Sequence, residues 1–137
     1  FEPVVLPAAP HLDEKTLLAA LKDEKATPAA RWAAASNLHW LYRCQEKDTI
    51  NIACLSIGKA RVLHMPGELF VEYQLAAQKL RPDLFVAMAA YGDYGPGYIG
   101  TETAYGQGGY ETSPRASRVA PSVETTLMDA VKKLLKK

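Results

Sequence analysis

Apolar residues in this chain switch near Thr49 from the roughly 3.6-residue period of a helix to the two-residue period of a strand, and then switch back. That succession limits the fold more than any single residue does. Thr27 followed by Pro28 supplies an N-cap and then the residue best tolerated at a first helical position. Trp32, Ala35, Leu38 and Tyr42 fall at helical spacing as the inner face of that helix, which ends before Asp48. Upstream, Asp13 caps a shorter helix with Leu17, Leu18 and Leu21 on its apolar face, after an extended lead-in, FEPVVLPAAP, that holds three prolines. Beyond Thr49, TINIACLSI and ARVLHM read as two strands of a hairpin turned at Gly58 and Lys59. ELFVEYQLAAQKL then reads as a helix with Leu69, Tyr73, Ala76 and Leu80 inward and Glu68 in its first turn, stopped by Pro82. LFVAMAAY reads as a buried strand, and Pro121 and Ser122 open a last helix with Val123, Leu127, Val131, Leu134 and Leu135 on one face. The expected fold is α/β, a short mixed sheet with flanking helices. It forms one unit over 1–137: a lead-in at 1–12, a helical segment at 13–48 and an α/β segment at 49–137.

Composition removes several function classes. A net charge of +1 on 137 residues gives no electrostatic footprint for nucleic acid. The basic concentration at Lys132, Lys133, Lys136 and Lys137 suits the negative end of a helix dipole. No apolar run reaches the roughly 18 residues that a membrane-spanning helix needs. Cys44 and Cys54 are too few for a disulfide framework or a zinc knuckle and read as small buried hydrophobes. The chain opens at Phe1 rather than at methionine, which is read as the loss of a preceding portion.

Chemistry concentrates in AYGDYGPGYIGTETAYGQGGYE. Seven of the nine glycines and five of the seven tyrosines lie between Tyr91 and Tyr110. Glycine persists where backbone must take positive φ or approach another group closely, and tyrosine offers a flat ring with a phenol that can donate, accept or, ionised, bind a metal. This loop and the MPGE turn both follow expected strands, the usual place for ligand sites in α/β proteins. At Glu68 an acidic residue in a first helical turn also complements the helix dipole without any ligand.

A PGE turn at Pro66, Gly67 and Glu68, followed by a loop of the form YxxTxxxYxxxxYE from Tyr98 through Thr101 and Tyr105 to Tyr110 and Glu111, resembles the C-terminal part of the catalytic domain of neutral ceramidases. The resemblance runs from about Thr49 onward and is closest to bacterial ceramidase-like proteins of undefined substrate. It implies a zinc ion held by two histidines, a glutamate and a tyrosine, with activated water attacking an amide carbonyl. Matched by motif position, Glu68 and Tyr98 are the metal ligands and Tyr110 the catalytic oxyanion donor. His64, Tyr94, Thr101 and Tyr105 are candidate pocket residues. Thr103 and Ala104 stand where the family carries an acidic pair.

None of His11, His39 and His64 occupies the family's histidine motif. The resemblance therefore implies that the zinc is shared with ligands outside this chain, which is expected to be the C-terminal portion of a larger hydrolytic domain and inactive alone. It further implies the N-terminal remainder of that domain as partner, a lipid or other N-acyl amide as substrate, and an extracytoplasmic location. Two other readings stay open. An aromatic platform for carbohydrate or lipid predicts exposed, coplanar rings with no convergence of Glu68 on Tyr98. A structural interaction domain predicts a large exposed apolar patch and an unpaired sheet edge.

Overall fold

The computed structural model describes residues 1–136, so Lys137 of the basic tail lies outside the described residues. The lead-in is extended, as its prolines require, and part of it forms strand β1 (Glu2–Val4). Helix α1 (Glu14–Lys22) follows, with the Asp13 side chain accepting from the Thr16 N–H. Helix α2 (Pro28–Gln45) is capped by the Thr27 hydroxyl. Strands β2 (Ile50–Ile57) and β3 (Ala60–His64) form the hairpin across Gly58 and Lys59. After β4 (Glu68–Leu69) come α3 (Val71–Leu80), β5 (Phe85–Ala89), β6 (Tyr98–Ile99), α4 (Glu102–Gln107) and α5 (Val123–Leu135).

The fold is α/β. A four-stranded mixed sheet runs β1-β2-β3-β5, antiparallel except for the parallel β3–β5 pair that α3 connects. A second, two-stranded parallel sheet pairs β4 with β6. Helix α5 packs on β1 and β2, and α3 packs on β5 and α5. Val123, Leu127, Val131, Leu134 and Leu135 of α5 are all buried, together with Ile52, Leu63 and Val86 of the sheet. Each such side chain removed from water contributes about 1.5 to 3 kcal/mol, which makes α5 the main anchor of this face.

Several expectations are corrected. Glu68 does not lie in a helical turn. The Glu68 N–H donates to the Gly97 carbonyl (2.9 Å) and the Phe70 N–H to the Ile99 carbonyl (3.0 Å), so the segment pairs across the chain and α3 starts only at Val71. The inward residues of α3 are Tyr73 and Ala77, and Leu80 is exposed. In α2 the buried face is Ala34, Leu38 and Leu41 with Trp40, while Trp32 and Ala35 face outward. Strand β5 is an edge strand with only Val86 buried. Helix α1 has no buried residue, its leucines being half-buried. Cys44 and Cys54 are half-buried free thiols rather than buried ones.

Among the described residues the opposite face of the sheet is left open. Alternation along each strand puts Ala53, Leu55 and Ile57 of β2, Ala60, Val62 and His64 of β3, and Phe85, Ala87 and Ala89 of β5 on one side. Leu55, Ile57 and Phe85 are 58%, 65% and 70% exposed. Parallel strands ordinarily have both faces buried, so this layer of side chains lacks the cover its composition calls for.

Candidate functional site

The parallel strands β3 and β5 both run out at the PGE turn. Backbone hydrogen bonds then fix that turn against the glycine-rich loop: Met65 N–H to Ala89 O (2.8 Å), Gly67 N–H to Asp93 O (2.7 Å), and Tyr91 N–H to Gly67 O (2.8 Å). Gly67 has φ +60, and a Cβ there would lie 2.6 Å from the Gly97 carbonyl oxygen, so only glycine lets the two segments approach this closely. Glu68 and Tyr98 are consequently direct partners in the β4–β6 register.

One carboxylate therefore meets several phenols. The Tyr94 hydroxyl donates to Glu68 Oε2 at 3.4 Å. Hydrogen bonding to Glu68, with burial and its negative charge behind it, raises the Tyr91 phenol above the usual tyrosine value. Burial and then the Glu68 charge raise Tyr94 and Tyr98. Tyr110 meets Tyr98 edge to face, with ring centroids 6.2 Å apart and planes at 73°. Tyr91 and Tyr94 are stacked at 6.0 Å and 17°. Tyr91, which the sequence gives no signal to separate from packing rings, holds φ +67, a conformation that costs a non-glycine residue about 1 to 2 kcal/mol.

A polar scaffold holds the loop from behind. Arg43 donates to both carboxylate oxygens of Asp93 (2.7 and 3.2 Å), which with the Gly95 N–H holds the Asp93 carboxyl below its ordinary range. Arg118 donates to Asn37 Oδ1 (2.7 Å) and the Gly95 carbonyl (3.0 Å), and its own carbonyl accepts from the Trp40 indole (2.9 Å). These ties join α2 to the loop 50 residues away and to Arg118 78 and 81 residues away, which explains why α2 turns Trp40 inward.

The other candidates lie apart. Thr101 caps α4 by accepting from the Ala104 N–H (3.1 Å). Tyr105 is half-buried, sharing a 2.7 Å hydrogen bond with the buried Ser117, and belongs to the packing beneath the loop. His64 ends β3 on the uncovered face, with its ring against Gly92, where a Cβ would come 2.5 Å from Cε1. It lines a small polar cleft with Thr49, Asn51 and Asp93. His39 is exposed on α2.

Among the described residues no three His, Cys, Asp or Glu side chains group closely enough to hold a metal. The donors at the Glu68 cluster are all oxygens, one carboxylate and neighbouring phenols. Carboxylate is an ordinary zinc ligand, so this set fits part of a zinc shell, but without nitrogen or sulfur donors it does not make a zinc site by itself. No helix among the described residues is long and apolar enough to cross a membrane. Comparisons with protein-family models, with curated proteins and with solved structures found no match for this chain.

Proposed function

We propose that this chain carries half of the metal site of a zinc-dependent amide hydrolase of the neutral ceramidase type, acting on an N-acyl amide and completed by a partner that brings the missing ligands. The observation that carries the reading is the register pairing of Glu68 with Tyr98 and the influence of that carboxylate on the Tyr98 phenol. In this reading Glu68 and Tyr98 would hold the ion. Zinc bound there would supply Lewis acidity and a water made nucleophilic near neutral pH. Tyr110, edge-on to Tyr98, would donate its phenol proton as a hydrogen bond to the oxyanion that develops on the amide oxygen, an interaction typically worth about 3 to 4 kcal/mol. The mixed ring orientations, 17° in one pair and 73° in the other, favour this over a flat aromatic platform.

The uncovered sheet face is where such a partner would dock. Leu55, Ile57, Val62 and Phe85 form its apolar surface, and β3 and β5 lead from it directly into the PGE turn and Tyr91. A layer docked there would bring its own ligands to the open side of Glu68. Lysine at both Ile57 and Phe85 is expected to suppress self-association of the isolated chain while moving its melting temperature by only a few degrees, because neither side chain is in the core. Sedimentation velocity and a thermal melt check this; a collapse in stability would show that the face is already covered in solution.

Calorimetric titration with zinc tests the half-site. The isolated chain should bind no tighter than about micromolar, and Glu68→Gln should remove that binding. Nanomolar affinity would overturn the partner-completed site, and binding indifferent to Glu68→Gln would remove Glu68 as a ligand.

A further inference from the structure

The Glu68 cluster has a property that a metal ion does not use. Tyr91 and Tyr94 are 60% and 53% exposed and stack on each other, so wide aromatic surface lies open beside the Glu68 carboxylate. A small hard ion has no use for aromatic faces; a cation clothed in methyl groups does. Ring faces are electronegative and attract such cations within about 6 Å of the centroid, and a weakly hydrated quaternary ammonium gives up little water to reach them. We infer that the Glu68 cluster, when free of metal, binds an organic cation of the quaternary ammonium class, its charge facing Glu68 and its methyl groups lying on Tyr91 and Tyr94.

A further observation favours that occupant. Tyr91 holds a left-handed backbone and stacks on Tyr94 at 6.0 Å, while its neighbour Gly92, which could take such a conformation freely, does not hold it. The Tyr94 hydroxyl donates to Glu68 Oε2 at 3.4 Å, which keeps the stacked pair next to the carboxylate. This inference shares Glu68 with the proposed zinc site, and one carboxylate cannot serve both ions at once.

The test is a titration of the chain, stripped of metal by a chelator, with tetramethylammonium chloride at constant ionic strength, read by the ring-proton NMR shifts of the tyrosines. Saturable shifts of Tyr91 and Tyr94 are expected, with a dissociation constant on the order of millimolar because the rings stand on an open surface. Glu68→Gln should weaken binding at least about five-fold, and so should Tyr91→Asn, which removes the ring while asparagine tolerates the left-handed backbone. Neopentyl alcohol, similar in shape and uncharged, should shift nothing. Absence of saturation up to about 50 mM, equal binding of the alcohol, or indifference to Glu68→Gln would overturn the inference. Zinc added afterwards separates the two readings. Zinc binding without tetramethylammonium binding leaves the hydrolase proposal standing and sinks this one, and the reverse result does the opposite.

Discussion

Replacing Gly97 by alanine is expected to destabilise the chain by about 3 kcal/mol, a fall in melting temperature of roughly 10 °C. Gly97 has φ +69, and a Cβ there would overlap the Ala116 carbonyl oxygen, a backbone atom that cannot swing aside. The residue is also where three segments meet: its carbonyl accepts from the Glu68 N–H, it bridges to Ser117, and the following Tyr98 N–H donates to Ala116. The cost therefore has two parts, left-handed strain and a forced shift of the strand that holds Tyr98. Gly106 is the matched control. It lies inside α4 without positive φ and with open space where a Cβ would go, so Gly106→Ala should leave stability unchanged or raise it slightly. Thermal melts of the two variants check the pair. Equal effects would show that the close approach of the two segments is not what fixes the site.

The second large effect concerns the phenols. Without a metal, burial and the Glu68 charge both oppose ionisation of Tyr98, so its phenol should titrate above the ordinary tyrosine range. Glu68→Gln removes the second of these causes, and the titrations of Tyr91, Tyr94 and Tyr98 should all move down together. The change should be proportionately largest at Tyr91, where Glu68 is the leading cause rather than burial. Tyr105 is the internal reference: burial raises its phenol too, but its hydrogen bond is to Ser117, so Glu68→Gln should leave it in place. Ring-carbon NMR across an alkaline pH series reads all of these at once.

Legibility in the sequence divided along physical lines. Helix α5 was fully readable because its apolar residues fall on one stripe with polar residues opposite, and a stripe has one way to face a sheet. Helix α2 offers apolar residues nearly all round, so its period could not choose between the Trp32 face and the Ala34, Leu38 and Leu41 face. The choice is made by the Trp40 indole reaching the Arg118 carbonyl, a contact between distant segments. The two-residue strands β4 and β6 have no local pattern at all; each exists because the other is there, thirty residues away. That is why Glu68 read as helical.

At the site, the family resemblance singled out Glu68, Tyr98 and Tyr110; the fold puts Glu68 and Tyr98 in register and Tyr110 edge-on to Tyr98. Tyr94 and Tyr91 were harder, since packing rings and exposed rings share the same letters. Only the positive φ of Tyr91, invisible in sequence, distinguishes it. Tyr105 shows the converse: it sits in the same motif as Tyr98 and Tyr110, yet its hydroxyl goes to a buried serine. The uncovered face was hidden for a related reason. LFVAMAAY has the composition of a buried strand, and its exposure on β5 is a property of what does not lie against it.

Tyrosinate absorption in the near ultraviolet, followed at neutral pH as zinc is added to about millimolar concentration, reads whether Glu68 and Tyr98 close on one cation. Zinc held by both residues should convert one phenol to phenolate, with the signal lost in Tyr98→Phe and in Glu68→Gln and kept in Tyr105→Phe. A signal that survives Tyr98→Phe, or zinc binding with no tyrosinate at all, would contradict that closure.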